Sequence, residues 1–398
     1  MKEKKLRVVI VAHDVGGQGG MERHLEEVIM RMKGEHEVTV VACSMKLSDC
    51  SGVRFIRIPV IAKPDFLKIW LFALLATIRL FFVKRDILHT TGAIVLNRAD
   101  FSTVHFCHAG YLKETGDTRQ AARRSLPRRI SSWLAARLSL SLERWIYHPK
   151  RTQRLIAVSG RVRRELLAAF PYAEEHIAVI PNGVDLGRFR PADQHEKRRW
   201  RAAFGLAEEG PLLLFMGGDW PRKGLDHVIG AFQTLSAEHP ELRLAVVGSG
   251  DSEAYTSVLP EEIARRITFA GKQPEPELWF GMSDIFVFPS SYETFSLVVH
   301  EAAACGLLIV TTPVGGVEDL IDDRVEGFYI ERDAVHVAST LRTLLHDLEH
   351  YRSCGDNART RVAGLTWDHT YTCLVQAYRQ RFTDSYGSRG FELERHHA

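Results

Sequence analysis

Two glutamates beside a predicted helix start are well placed to bind a polar ligand. Glu293 and Glu301 stand eight residues apart in the stretch DIFVFPSSYETFSLVVHEAAACGLLIVTTP (284–313). On a single helix their side chains would be about 80° apart. They converge better if Glu293 lies in a loop and Glu301 lies at least one turn into the helix. The helix start between them would carry free backbone N–H groups, which suit a phosphate.

The elements that position these glutamates follow from the apolar pattern around them. The run 285–288 predicts a buried strand closed by Pro289, and a short polar loop follows. A helix is expected over about 295–305, ended by Gly306, and a second apolar strand over 307–311. The loop would then face the carboxyl edge of a parallel sheet, where open α/β sheets bind ligands.

A second candidate site is the loop GGDWPRKG (217–224), where glycines precede Arg222, Lys223 and a predicted helix over 224–236. Arginine offers a bidentate fork and lysine a point charge, so the loop could bind an anion. The alternative is a charged first turn of a helix, but cations there would oppose the helix dipole. That unfavourable placement favours the ligand-binding interpretation.

The start of the chain repeats this arrangement of strand, glycine loop and helix. A strand over 7–12 leads into HDVGGQGGMERH (13–24), and a helix is expected over 21–32. Gly19 and Gly20 could let the backbone approach a phosphate. A tight turn that only needs glycine φ values is the alternative.

His105 and His108 lie at the exit of a predicted strand over 101–106. Metal binding would require further ligands, and none has convincing spacing, so no metal is expected. Contact with a sugar, or proton handling, is the functional interpretation. A satisfied core or surface histidine remains the alternative for each.

Two successive series of strands and helices predict an α/β chain with two doubly wound, Rossmann-like domains facing across a cleft. We expect an N-terminal domain over 1–192, joined by a C-terminal helix over 367–384 that folds back onto it. The second domain would cover 193–366, and 385–398 would form a flexible tail.

Composition and sequence features favour an ordinary soluble globular protein over a secreted or membrane-spanning one. The 398 residues are 45% hydrophobic and 25% charged, with a net charge of +3, as in ordinary soluble globular proteins. The six cysteines form no C-x-x-C pair, which suits a reducing cytoplasm, and the first residues do not resemble a signal peptide. The apolar stretch 69–83 is shorter than the roughly 20 residues of a membrane span. It is expected to be a core helix or one partly exposed to a bilayer surface.

The stretch 112–154 is strongly basic, with eleven Lys and Arg against three acidic residues. Tryptophan, leucine and isoleucine recur in it at spacings of three and four, as in a basic amphipathic helix. Such helices are attracted to anionic lipid. We therefore expect a cytoplasmic protein, peripheral on the inner face of the cytoplasmic membrane. Nucleic-acid binding is a weaker alternative, because the stretch contains no recognisable nucleic-acid-binding module. The solvated face of a core helix is another alternative.

Six motifs in order resemble the retaining glycosyltransferases of family four, which have the GT-B fold. They are GGMERH (19–24), AVIPNGVDLGRF (178–189), GGDWPRKGLD (217–226), VVGSGD (246–251), TFAGK (268–272) and PSSYE followed by Glu301. The resemblance covers nearly the whole chain. The RKG loop and the basic segment are most similar to bacterial lipopolysaccharide-core glucosyltransferases.

The resemblance implies a role for each matching position. Glu293 would hold hydroxyls of the donor sugar, Glu301 would bind the ribose, and Lys223 would clamp the diphosphate. His108, or else His105, would stand near the reacting sugar. The same diphosphate would meet Gly19 and Gly20 from the first domain, together with the backbone N–H groups of Phe295, Ser296, Leu297 and Val298.

The sequence departs from the family at one position. Many relatives carry arginine where Gly218 stands, and Arg222 could supply the missing cation. The expected reaction moves a hexose from a nucleoside-diphosphate sugar, favouring UDP, to a saccharide or lipid-linked acceptor in cell-envelope polysaccharide synthesis, without a cofactor or metal. Two alternatives remain: a soluble transferase with a small acceptor, and a non-catalytic nucleotide-sugar-binding module at the membrane.

Overall fold

A computed structural model describes residues 5–17, 19–61, 63–115 and 126–384. The predicted tail 385–398, and Arg119, Arg123 and Arg124 of the basic stretch, lie outside these residues. The chain divides into two compact units. The N-terminal unit is Met1–Gly183 with Trp367–Ala398, and the C-terminal unit is Val184–Thr366.

The N-terminal unit contains a seven-stranded, fully parallel sheet in the order β5-β3-β1-β6-β7-β8-β9. Strands β2 and β4 pair separately. The strands are β1 (Arg7–Val11), β2 (Asp14–Val15), β3 (Glu37–Ala42), β4 (Ser44–Met45), β5 (Val53–Arg57), β6 (Ile87–Thr90), β7 (Ala99–Val104), β8 (Thr152–Ala157) and β9 (Ile177–Val179). The helices are α1 (Gly20–Glu35), α2 (Asp65–Leu80), α3 (His108–Thr115), α4 (Leu126–Ile146), α5 (Gly160–Ala169) and, from the end of the chain, α16 (Trp367–Asp384).

The C-terminal unit contains a six-stranded parallel sheet in the order β12-β11-β10-β13-β14-β15. Its strands are β10 (Leu212–Met216), β11 (Arg243–Val247), β12 (Ile267–Gly271), β13 (Ile285–Phe288), β14 (Leu308–Thr311) and β15 (Phe328–Tyr329). Its helices are α6 (Gln194–Ala203), α7 (Trp220–Lys223), α8 (Leu225–Leu235), α9 (Glu253–Thr256), α10 (Glu261–Ala264), α11 (Pro276–Met282), α12 (Leu297–Ala304), α13 (Val317–Leu320), α14 (Ala334–His346) and α15 (Leu348–Val362).

Strand β13 shows why these strands form the centre of their sheet. All four of its residues, IFVF, are buried, as parallel strands covered on both faces require. Phe286 and Phe288 pack into one hydrophobic cluster of the unit, and Ile285 and Val287 pack into the other. A run without alternation therefore fills both faces of the sheet.

The two units share a strand order with one reversal. Numbered within its own sheet, each reads 3-2-1-4-5-6, and the N-terminal sheet adds a seventh strand. The reversal falls between β1 and β6 in one unit and between β10 and β13 in the other. Ligands of doubly wound sheets bind outside the carboxyl ends of the strands at this switch point.

The division between the units falls after Gly183, whereas the sequence placed a boundary after residue 192. The reason is the packing of the intervening segment. Val184 donates its N–H to the Leu365 carbonyl, and Phe189 is buried against Phe280 in the core of the C-terminal unit. Helix α16 packs against α1 of the N-terminal unit, where Arg31 pairs with Asp368.

Within the described residues, no helix combines the length and apolar character that crossing a membrane would require.

Candidate functional site

The predicted cationic loop and the predicted glutamate loop leave neighbouring strands at one edge of the C-terminal sheet. Strand β10 leads into the loop that carries Arg222 and Lys223, and β13 leads into the loop that carries Glu293. The two strands pair in parallel, so their carboxyl ends meet at the switch point. The fold therefore brings together residues about 70 positions apart in the sequence.

Lys223 lies over the glycine that directly follows β10. Gly217 has φ +140°, and a Cβ there would stand 2.7 Å from the Lys223 ammonium nitrogen. A side chain at position 217 would thus be strained and would also displace the lysine. The ammonium lies 4.7 Å from the centre of the Phe288 ring, at the end of β13.

Arg222 and Lys223 come directly before the helix that the sequence predicted, which begins at Leu225, but the short helix that contains them was not predicted. They occupy the last turn of the short helix α7, and Gly224, with φ +80°, separates α7 from α8. A Cβ at Gly224 would meet the Pro289 carbonyl at 2.4 Å, so the chain breaks where it touches the next loop. The cations lie at the end of the single turn α7, which suits its dipole, but they also stand beside the start of the longer helix α8, whose dipole they oppose.

Glu293 is the common partner of these cations. Its Oε1 lies 3.0 Å from Arg222 Nη1 and 3.6 Å from Lys223 Nζ, and it accepts a hydrogen bond of 3.2 Å from the Ser290 hydroxyl. Arg222 also donates from Nε to Asp219 at 2.9 Å. The two cations and the carboxylate form one half-buried cluster.

The charges in this cluster are coupled. Burial opposes the charge of Arg222, but Glu293 and Asp219 together raise its pKa above the usual value. For Lys223 burial is the stronger effect, and its pKa is lowered although Glu293 acts to raise it. A dianionic ligand near Nζ would restore the lysine's preference for its charged form.

The start of α12 provides backbone donors beside Glu293. The helix begins at Leu297, so Phe295 and Ser296 precede it, and Ser296 is an N-cap whose side chain makes no capping hydrogen bond. The buried hydroxyl of Ser296 has no hydrogen-bond partner among the described residues. The backbone N–H of Val298 has no backbone acceptor among them either. Such a helix start suits an anion.

Glycine holds the loop before α12 in place. The N–H of Gly315 donates to the Glu293 carbonyl at 3.0 Å, and a Cβ at Gly315 would stand 2.4 Å from that oxygen. The pair Gly315–Gly316 therefore permits the close approach that fixes Glu293.

Glu301 lies in α12 and Glu293 in the loop before it, which is the arrangement the sequence favoured. Glu301 is buried. It acts electrostatically on Arg188, whose guanidinium also pairs with Glu277 at 2.8 Å. Burial opposes the charge of Arg188, but Glu277 and Glu301 raise its pKa overall.

In the N-terminal unit, Gly19 and Gly20 lie at the start of α1. Gly19 is the N-cap residue and, as a glycine, has no side chain that could cap the helix. Both Gly19 and Gly20 are exposed. A Cβ at Gly19 would meet the Glu22 carboxylate at 1.9 Å. The loop follows β1, next to β6, and so lies at the switch point of its own sheet.

The two candidate histidines differ in burial. His105 is enclosed beside His24, with ring centres 4.6 Å apart, and burial lowers its pKa well below the usual value. His108 begins α3 and is partly exposed, with Nδ1 2.7 Å from Glu143 Oε1. Glu143, itself buried in α4, also accepts the backbone N–H groups of His108 and Ala109. The Nε2 atom of His105 is buried, whereas the side chain of His108 is 36% exposed.

Sequence reasoning missed the residues that support the site. Asp219, Ser290, Arg188 and Glu143 each contact a predicted site residue, or act on it electrostatically. Asp219 sits within a predicted motif and could have been found from its spacing of three from Arg222. Glu143 lies 35 residues from His108, and no local pattern links them. The described residues contain no group of three or more histidine, cysteine or acidic side chains that could hold a metal.

Two sequence families match the chain. Residues 18–188 match Glycosyltransferase Family 4, and residues 196–361 match Glycosyl transferases group 1. Among curated proteins, the D-inositol 3-phosphate glycosyltransferase of Jonesia denitrificans is 29% identical over 239 residues, covering 57% of this chain and 56% of that relative. The match thus spans just over half the length of such relatives.

Solved structures share the fold. The crystal structure of WaaG, a glycosyltransferase involved in lipopolysaccharide biosynthesis, has a TM-score of 0.77 at 19% identity, covering 92% of this chain and 99% of WaaG. Anabaena HepE in complex with UDP-glucose has a TM-score of 0.72 at 15% identity, covering 94% of this chain and all of that one. With both glycosyltransferase families matched in order, and two Rossmann-like domains built as described, the chain belongs to glycosyltransferase family 4 and has the GT-B fold.

Proposed function

We propose that this protein transfers a hexose from a nucleoside-diphosphate sugar, UDP-sugar being favoured, to an acceptor hydroxyl with retention at the anomeric carbon. The observation that carries the proposal is the cluster of Arg222, Lys223 and Glu293 beside the uncapped start of α12. HepE, which shares the fold, binds UDP-glucose.

The chemistry follows from the charge that develops on the donor. When the bond to the sugar breaks, the departing diphosphate gains negative charge. Lys223, Arg222 and the N–H groups at the start of α12 would stabilise it, at roughly 3–4 kcal/mol for a well-placed donor. Glu293 would hold sugar hydroxyls, Glu301 would bind the ribose, and His108 would contact the reacting sugar.

The binding experiment measures the thermal shift of the protein with each member of a panel: UDP-, GDP- and ADP-glucose and the corresponding nucleotides. We expect one nucleotide family to raise the melting temperature of the wild type and to do so much less in Lys223→Ala. Arg359→Ala, an exposed cation of α15, is the matched control. Stabilisation by no member of the panel would contradict the proposal.

Metal independence is part of the proposal, since Arg222 and Lys223 would supply the positive charge that a divalent ion could otherwise provide. Transfer should proceed at an undiminished rate in excess EDTA. A rate that EDTA abolishes and Mg²⁺ or Mn²⁺ restores would refute this part.

The proposed acceptor is a saccharide or lipid-linked hydroxyl in cell-envelope polysaccharide synthesis, reached from an anionic membrane surface on the cytoplasmic side. Helix α4 supports the membrane part of this proposal. It exposes Trp133 and Trp145 together with Arg137 and Arg144, and Arg137 lies over the Trp133 ring at 5.0 Å. WaaG, which shares the fold, is involved in lipopolysaccharide biosynthesis.

A small-molecule acceptor is the second candidate, because curated relatives from Jonesia denitrificans and Nocardia farcinica are D-inositol 3-phosphate glycosyltransferases. Labelled donor offered with inositol phosphate, or with membrane lipid extract, separates the two candidates by where the label appears.

A further inference from the structure

The outer face of α2 is apolar although it lies on the surface. The helix buries one face, formed by Phe72, Ala73, Ala76, Thr77 and Leu80. Its opposite face is also made of large apolar side chains. Trp70 is 51% exposed, Leu74 36% and Ile78 47%, and directly after the helix Phe81 is 75% and Phe82 82% exposed.

These exposed side chains form one stripe. At 3.6 residues per turn, Trp70, Leu74 and Ile78 fall within about 80° of one another. Phe81 and Phe82 extend the stripe past the end of the helix. Single exposed apolar residues are ordinary, but a contiguous group of this size marks a surface that binds something apolar.

The charges around the stripe indicate what it binds. Arg79 and Lys84 are exposed and lie close to Ile78, Phe81 and Phe82 in the sequence. No acidic residue occurs between residues 66 and 85, and the nearest one before the stripe is the exposed Asp65 at the start of the helix. An apolar face whose end at Phe81 and Phe82 is flanked by cations complements an anionic lipid surface: the apolar groups enter the acyl boundary and the cations meet the headgroups.

Helix α4 packs against α2 and has exposed apolar side chains of its own. It exposes Ile130, Trp133 and Leu134. Tryptophan is suited to the boundary between water and lipid, since its ring is apolar and its N–H is polar. The neighbouring helix thus repeats the chemistry of the stripe.

We infer that the outer stripe of α2, ending in Phe81 and Phe82, inserts into an anionic bilayer and forms the apolar part of the membrane contact. The inference deepens the membrane part of the proposed function and rests on it. It adds a specific insertion surface in α2, distinct from the basic helix α4 on which that part of the proposal relies.

The test is flotation with vesicles of phosphatidylcholine alone and of equimolar phosphatidylcholine and phosphatidylglycerol. Wild type should float with the anionic vesicles. Phe82→Ser should lower the partition coefficient by about tenfold, and Phe81→Ser with Phe82→Ser should lower it further. Val258→Ser, equally exposed at 77% in the C-terminal unit, should behave as wild type. Circular dichroism and nucleotide-induced thermal shift confirm that each variant is folded.

A second set of variants, in which cations are replaced by glutamate, separates apolar insertion from electrostatic attraction to the headgroups. Arg79→Glu with Lys84→Glu should weaken binding to anionic vesicles and make its salt dependence shallower, because fewer protein cations then meet the headgroups, while Arg359→Glu should change neither. Three outcomes would overturn the inference. If the wild type does not bind anionic vesicles, both this inference and the membrane part of the proposed function are wrong. If wild type binds and the α2 variants bind equally, only the insertion surface is wrong. If the variants change the oligomeric state in light scattering, the stripe joins copies of this chain instead.

Discussion

The two oxygens of the Glu293 carboxylate have different surroundings. Oε1 faces Arg222 and Lys223 and accepts from Ser290, while the described residues give Oε2 no hydrogen bond. Oε1 can therefore hold the two cations in position before an anion arrives, and Oε2 can accept from a sugar hydroxyl. Glu293 is thus assigned to the sugar and Glu301 to the ribose, so replacing each glutamate should affect the binding of a different part of the donor.

Replacing Glu293 by alanine should separate nucleotide binding from transfer. Without the carboxylate, Arg222 and Lys223 lose their counter-charge, so UDP affinity measured by calorimetry should stay equal or rise. Transfer should fall by about 100-fold or more, because the sugar loses its acceptor group. Glu208→Ala, at an exposed position, is the control. A variant that transfers normally would remove Glu293 from the site.

Replacing Glu301 by alanine should have the opposite effect on the nucleotide. If Glu301 binds the ribose, UDP affinity should fall about tenfold or more, since a buried site loses a charged hydrogen-bond acceptor. Inorganic diphosphate, which has no ribose, should compete equally with wild type and variant. Equal losses for UDP and diphosphate would mean that Glu301 acts through general electrostatics or folding.

At the scale of elements, the start of α3 depends on one side chain of α4. Glu143 is 3% exposed and accepts from the His108 ring and from the N–H groups of His108 and Ala109. It thus takes the place of an N-cap residue and fixes the ring nitrogen that faces inwards. A helix and its candidate histidine are positioned together.

The change Glu143→Ala should lower the free energy of unfolding by about 1–3 kcal/mol, because buried donors lose their acceptor. Urea denaturation followed by circular dichroism measures this loss. Glu175→Ala, at an exposed position of the same unit, should change stability by less than about 0.5 kcal/mol. If both variants are equally stable, the cap is not needed to hold α3.

Elements with strong local patterns could be predicted from the sequence, and those fixed by distant contacts could not. The apolar runs before Gly217 and Pro289 predicted β10 and β13 because fully buried strands need no alternation. The start of α8 beside Gly224 was predicted, but the short helix α7 before it was missed, since four residues are too few to show a helical pattern. The site shows the same division: the cations and glutamates could be named, but their direct pairing required the fold.

At the scale of the whole molecule, the N-terminal unit encloses several neutral histidines. His24 and His105 lie edge to face, and His89 bonds to Tyr378 of α16 and to Thr103. Burial lowers the pKa of His24 to about 4 and of His89 to about 3. Their neutral forms are therefore built into the packing of α16 on its sheet.

Acid should destabilise this unit. In the unfolded chain these histidines titrate near their ordinary pKa of about 6.5. Between that value and the lowered native pKa values, the unfolded state binds more protons, so stability is complete above about pH 6.5 and falls as the pH drops. Hydrogen exchange at about pH 7 and pH 5, corrected for intrinsic rates, should show protection lost first in β1, β6 and β7. In the C-terminal unit, fewer of the described histidines have a lowered pKa, namely His227 and His300. Uniform loss across both units would contradict this.

The most direct test is calorimetric titration of the preferred nucleotide, chosen from the panel above, into wild type, Lys223→Ala and Arg359→Ala. We predict one site per chain, with affinity reduced about tenfold or more in Lys223→Ala and unchanged in Arg359→Ala. Equal affinity in all three proteins would show that the nucleotide does not bind at the switch point between β10 and β13.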